Sequence, residues 1–176
     1  MVGSNAGKSA AAVRELRRSS GNDHVEFLQA NLSLMYNVDA LAGQVSRRWS
    51  QPHYQVLCAG IMREHTLTPE GIEANFAVNC LSRFALTRAL LSRIAAGGVA
   101  GHATRILVIS GGALEVRIRY EDVNLTGRFG ILRAVSQFCE ANDVFVLEQA
   151  RRLAARSTFV TVNGLKVGAV RRAECR

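Results

Sequence analysis

The chain has 176 residues, 48% of them hydrophobic, and a length that suits one domain spanning 1–176, able to bury roughly two-thirds of its unfolded surface. No apolar run reaches the roughly 20 residues of a membrane span and no charged-then-apolar leader opens the chain, which excludes a spanning helix and makes the cytosol the expected location. The net charge of +8 is carried almost wholly by arginines set singly or in pairs, with no aromatic cluster to stack bases, so solvated helix faces are expected and a nucleic-acid partner is not.

In chain order, Met1-Val2-Gly3 reads as the end of a strand, and Ser9 to Arg18 as a short helix with Val13 and Leu16 inward, stopped by Ser19-Ser20-Gly21-Asn22. His24 to Ala30 alternates and then turns apolar, which predicts a strand. A helix follows, capped by Ser33 or Asn37, with Val38, Leu41, Val45 and Trp49 inward and Pro52 beyond its end. Tyr54 to Gly60 and Arg105 to Gly112 are apolar runs, as parallel strands covered on both faces are. Between them the spacing predicts a long helix from Pro69 to Ile94, with Thr68 as N-cap, an inward stripe of Ile72, Phe76, Cys80 and Phe84, and Gly97-Gly98 as its stop.

Gly111 to Leu132 is irregular, with a turn at Thr126-Gly127. A second long helix covers about Ala134 to Ala155, and Thr158 to Val162 is a last strand, closed by Asn163-Gly164 and a basic tail. Strand, helix, strand is a right-handed crossover, and such sheets bind ligands beyond the carboxyl ends of their strands. Gly60 and Ser110 stand at two such ends, so a site is expected there.

Gly3-Ser4-Asn5-Ala6-Gly7-Lys8-Ser9 is one residue short of a P-loop, because three residues rather than four separate its glycines. With no strand's length of chain before it and no later strand ending in Asp, a P-loop nucleotide-binding protein is a remote alternative and a turn into a helix the plain one. His24, His53, His65 and His102 lack partners at ligand spacing, so no metal site is expected. Cys58, Cys80, Cys139 and Cys175 lie far apart in mostly apolar patterns, which predicts reduced, buried thiols.

A family likeness enters through Val56-Leu57-Cys58-Ala59-Gly60-Ile61-Met62, Thr68-Pro69-Glu70-Gly71-Ile72-Glu73 and Phe76-Ala77-Val78-Asn79. With Asn31-Leu32-Ser33, Leu107-Val108-Ile109-Ser110 and Ala141-Asn142 in the same order, the chain resembles the short-chain dehydrogenase/reductase family, most closely its retinol-dehydrogenase-like and fungal branches. The resemblance implies an α/β, Rossmann-like, doubly wound parallel sheet in three layers. The sheet is incomplete, because the first β-α unit with its Gly-rich loop has no counterpart here. It implies an NAD(P)-dependent oxidoreductase acting on a carbonyl or alcohol of a small apolar substrate, with NAD or NADP as cofactor.

Residue by residue, Asn79 and Ser110 match two members of the family's catalytic tetrad, while its Tyr and Lys positions hold Val135 and Cys139. Tyr120, with Asn124 four residues on, does not replace them. Asn31, Leu32, Ala59 and Gly60 match positions that line the cofactor, and Val167-Gly168 stands where the family has Pro-Gly. The lost Tyr and Lys imply a second reading, an inactive scaffold or interaction protein of the same fold. The family's dimer face implies a homodimer through helices 69–94 and 134–155. In the absence of the family's central strand, the segment Val25–Ala30 is expected to pair directly with Tyr54–Cys58, in a sheet with helices on both faces.

Overall fold

The computed structural model describes residues 1–111, 117–156 and 159–168. Strand β1 (Val2–Gly3) leads into α1 (Ala6–Ser20), β2 (Leu28–Gln29) and α2 (Met35–Arg48). Then come β3 (Tyr54–Leu57), a continuous helix made of α3 (Ala74–Phe76), a π-helical turn (Ala77–Leu81) and α4 (Ser82–Gly97), and β4 (Thr104–Gly111). A 3₁₀ turn at Tyr120–Asp122, α5 (Ile131–Ala154) and β5 (Val160–Val167) complete the described chain. Among the described residues no helix is long and apolar enough to cross a membrane.

All strand pairs are parallel, as expected, but they form two groups, β1–β2 and β3–β4–β5. The direct pairing expected of Val25–Ala30 with Tyr54–Cys58 is therefore incorrect. Leu28 and Gln29 pair with Val2 and Gly3 instead. The strand is also shorter than its apolar pattern, because β1 offers only two residues to pair with.

Both groups share one helical layer. Leu57, Ile106, Val108, Val160 and Val162 point into a cluster with Ala42 of α2, Leu90 and Ile94 of α4, and Phe145 and Leu153 of α5. Leu28 and Ala30 pack on Leu41 of α2, and Val45 and Leu86 touch both clusters. Helix α1 lies on the other face of β1–β2. There, a Cβ on Gly3, whose neighbour Val2 pairs with buried Leu28, would come 2.9 Å from Ser9 Oγ. The outer face of β3–β4–β5, including Tyr54, Val56, Arg105 and Thr161, is exposed. Helices on both faces thus hold for β1–β2, whereas among the described residues nothing covers that face of β3–β4–β5.

Several local expectations are corrected by tertiary partners. The long helix begins at Ala74, not Pro69, because Gly71 takes a φ of +74° and closes a turn with its N–H on the Thr68 carbonyl (2.8 Å). Its N-cap is Glu73, whose carboxylate accepts from the N–H groups of Asn75 and Phe76. Helix α2 is capped by neither Ser33 nor Asn37. Asn31 Oδ1 engages the Ser33 N–H (3.1 Å) and hydroxyl (2.8 Å), and Glu70 reaches across to accept from Met35 N–H (2.7 Å) and Tyr36 N–H (3.2 Å). Leu16 and Trp49 are exposed rather than inward.

Strand β5 runs through Asn163-Gly164 to Val167, because the eight-residue β4 continues to offer it a partner. The turn at Thr126-Gly127 is as expected, held by the Asp122 carboxylate, whose hydrogen bonds from both residues lower its pKa. Gly3 to Ser9 is a strand-to-helix turn, with Asn5 Oδ1 accepting from Lys8 N–H (2.9 Å). Cys58 is exposed, against the expectation of burial, while Cys80 and Cys139 are buried and free. Cys175 lies outside the described residues.

Ile106, in the middle of the central strand, has no exposed surface. Replacing it with Ala is expected to cost about 2–5 kcal/mol, measured by urea unfolding of the whole chain.

Candidate functional site

Helices α3 and α4 carry two stripes with the same four-residue period. The apolar stripe noted in the sequence is only partly buried at Phe76 and Phe84. The stripe one residue ahead of it, Asn75, Asn79, Arg83 and Thr87, is buried, at 0%, 3%, 6% and 0% exposure. Three of them meet the main chain leaving β3, and Thr87 meets a side chain within β3. Asn75 accepts from the Arg63 N–H (2.8 Å) and donates to its carbonyl (2.9 Å), and Asn79 does the same for Ile61 (2.9 and 2.7 Å). Arg83 Nη2 donates to the Ala59 carbonyl (2.8 Å), and Thr87 Oγ1 to Gln55 Oε1 (3.2 Å).

The periods match. Four helical residues rise about 6 Å and two extended residues about 6.6 Å, so Asn75, Asn79 and Arg83, at successive turns, meet the alternate residues Arg63, Ile61 and Ala59 of a segment running the other way. The helix takes the place of a neighbouring strand. The π-helical turn sits inside this run, where the Ser82 N–H reaches the Ala77 carbonyl five residues back.

Arg83 also bridges two strands, since its Nη1 donates to the Ile109 carbonyl (2.7 Å). The parallel register sets Leu57 beside Val108, so Ala59-Gly60 and Ser110 lie along one rim, as expected. Burial lowers the Arg83 pKa, opposed in turn by Cys80, Cys58 and Cys139. Burial pushes the Cys80 thiol up to about 12, with Arg83 pulling the other way.

A cavity of about 580 Å³ opens between the carboxyl ends of β1–β2 and β3. Asn31, Leu32, Ala59 and Gly60, all expected at a cofactor site, line it together, joined by Ser4 and Arg63. Gly60 has no room for a side chain, because a Cβ there would lie 2.7 Å from Asn79 Oδ1. Asn79 and Ser110 stand behind this wall rather than in it. The Ser110 Oγ is buried without a hydrogen-bond partner. The Asn79 carbonyl accepts from Asn142 Nδ2 (2.9 Å), which ties α5 to the same helix.

Cys139 is buried, 3.6 Å from where a Gly111 Cβ would be, and Val135 is half-buried one turn earlier on α5. Gly168 is exposed just past β5, with β4 between it and the Gly60 wall. Asn75, Arg83 and Glu70 were missed by sequence reasoning. The signal for the first two was present in the sequence, as polar residues at the spacing of Asn79 on one helix.

No family model matches the chain. Human retinol dehydrogenase 13 is 30% identical over 167 residues, 93% of this chain and 49% of that protein. The short-chain dehydrogenase/reductase drtF of Aspergillus calidoustus is 34% identical over 128 residues, 68% of this chain and 41% of that protein. Among solved structures, a metagenomic short-chain oxidoreductase in complex with NADP superposes with a TM-score of 0.68 at 20% identity, over 96% of this chain and 69% of that one. The chain belongs to the short-chain dehydrogenase/reductase family. As a family member it spans about half the length of the curated relatives it matches. The family's parallel-stranded Rossmann fold is what the described elements show.

Two outcomes test this geometry. Asn79→Leu strands both main-chain groups of Ile61 and is expected to cost about 1–3 kcal/mol per group by urea unfolding, well above the cost at an exposed position such as Asn22. At pH 8 a disulfide reagent should label Cys58 and leave Cys80 unlabelled until the chain unfolds, as peptide mapping would show.

Proposed function

We propose that the cavity beside Gly60 holds part of a nicotinamide dinucleotide, NAD or NADP, and that the chain is part of an oxidoreductase acting on a carbonyl or alcohol of a small apolar molecule. The observation that carries this reading is the bare main chain at Gly60 in the cavity wall, backed by Asn79 at 2.7 Å from where a Cβ would be. A flat ring or ribose can approach such a backbone. Asn31 and Leu32 would hold the group from the opposite side, and Ala59 and Gly60 from below. When bound, the cofactor supplies hydride exchange.

The chain's own residues then divide as follows. Ser110 Oγ is buried and unpartnered, so its hydroxyl has hydrogen-bonding capacity to spare and would hold a substrate oxygen only where the rim opens to it. Asn79 acts through the wall, since both ends of its amide are committed to Ile61. Val135 has no proton to give, and the buried Cys139 thiol is no substitute for an ammonium group, so α5 brings neither half of the family's acid–base pair. Turnover by this chain would accordingly be lower by about 10²–10⁴ than with a positioned acid–base group. Arg63 is the charged residue in the cavity lining and favours an anionic ligand there.

The second reading, a scaffold that binds a second copy of itself, is favoured by the seam between α4 and α5. A groove of about 290 Å³ there is lined by Phe76, Leu81, Phe84, Val144 and Phe145, and Leu147 is 70% exposed on the same helix as its wall. At its edge Glu148 is held at about 2 by hydrogen bonds from Arg151 and Arg152.

Titrating the chain with NADH and NADPH and following cofactor fluorescence tests the first reading. Saturable binding weakened by Gly60→Val is expected, and no binding at millimolar cofactor would overturn it. Sedimentation tests the second: a dimer that Leu147→Glu converts to monomer is expected, and a monomer at all concentrations would refute it.

A further inference from the structure

Among the described residues only two buried side chains are of charged type, Glu73 and Arg83. Glu73 is matched, since its carboxylate accepts from Asn75 N–H (3.0 Å), Asn75 Nδ2 (2.7 Å) and Phe76 N–H (2.8 Å). Arg83 is not. None of the described salt bridges includes it, its Nε has no partner, and its terminal nitrogens are spent on two main-chain carbonyls, one just past the end of β3 and one in β4. Burying a cation without a carboxylate is costly, and burial alone lowers its pKa. An aliphatic residue would fill the same space without that cost, which makes the forked contact to two strands the property that distinguishes arginine here.

We infer that Arg83 is a positioning residue that locks the ends of β3 and β4 into one rim, so that the Ala59-Gly60 wall and the Ser110 hydroxyl keep a fixed spacing. Ala59, held by Nη2, is in the cavity wall. Ile109, held by Nη1, is the residue before Ser110. Beyond Leu57 and Val108 the two strands no longer pair, so the rim continues past the last shared register and the guanidinium bridges the gap. The planar fork sets the distance between the two carbonyls. A lysine ammonium, a single point on a flexible stem, cannot hold both in the same way. A ligand lying on Gly60 with its reacting end at Ser110 would feel any change in that distance. This assignment rests on reading the cavity as a dinucleotide site.

The test uses the full chain, with Arg83→Ala, Arg83→Lys and, as a control for general destabilisation, Ile94→Val in the same helix. NADH affinity and amide hydrogen exchange are measured on each. Arg83→Ala should weaken NADH binding about tenfold and speed exchange at both Gly60–Ile61 and Ser110–Gly111. Millimolar methylguanidinium should restore both in that variant and change neither in the wild type. Arg83→Lys should stay closer to the Ala variant, and Ile94→Val should bind like the wild type. Wild-type affinity in Arg83→Lys, or faster exchange at one strand end alone, would overturn the assignment. If Arg83→Ala does not fold, the Lys variant decides by the same two readouts. If the wild type binds no dinucleotide, the cavity reading fails by itself, and the exchange pattern still shows whether Arg83 couples the two strands.

Discussion

The site depends on one set of contacts: polar side chains of α3 and α4 that hydrogen-bond the main chain leaving β3. A strand that stops pairing at Leu57 leaves the carbonyls and N–H groups of residues 59–63 without a sheet neighbour. Buried main-chain groups without partners are expensive, at about 1–3 kcal/mol each. Asn75, Asn79 and Arg83 answer that need one after another, at a helical spacing that matches the extended chain. Each made bond contributes only about 1 kcal/mol net, so the weight of the arrangement lies in what its loss would strand.

From that ladder the rest of the rim follows. Holding Ile61 against Asn79 brings the backbone of Gly60 so close to the helix that a side chain has no room, and this leaves bare main chain facing the cavity. Holding Ala59 and Ile109 from one guanidinium keeps β3 and β4 side by side beyond their shared register. Asn142 extends the network to α5 through the Asn79 carbonyl. Asn124 fastens the connection after β4 to the start of α3, donating to the Gly71 carbonyl (2.8 Å) and accepting from Glu73 N–H (2.9 Å). The loop over the cavity is fixed at its far side by Glu70 on the first turn of α2, where a carboxylate also suits the helix dipole.

Helix α5 serves the architecture more than the chemistry. It packs Phe145 and Leu153 into the core and carries Asn142, yet its face toward the end of β4 presents Cys139, a buried thiol. The proposed binding wall is built from backbone and amides, and its lining at Asn31, Leu32, Ala59 and Gly60 comes together in the described residues. At the positions that the family likeness aligns with its acid–base pair, Val135 has no ionisable group and Cys139 offers a buried thiol in place of an ammonium. The two are separable because they draw on different elements, β3 with α3 and α4 for the wall and α5 for the acid–base positions.

The alternation of apolar strands with amphipathic helices was enough to establish from sequence the α/β class, the parallel strands, the crossover through α4 and the meeting of Gly60 with Ser110 on one rim. Those follow from period and order, which a chain carries locally. The family likeness located Asn31, Leu32, Ala59 and Gly60 at what the structure shows to be one cavity. What tertiary structure alone decided were partners: β1 rather than β3 beside Leu28–Gln29, Glu70 rather than Ser33 as the cap of α2, and Asn163-Gly164 inside the last strand rather than beyond its end. It also decided that the buried stripe of the long helix is Asn75, Asn79 and Arg83 beside the apolar one. The pattern of a single helix states its period but not which of two adjacent stripes meets unpaired backbone, and that choice is made only when the segment after β3 lies against it.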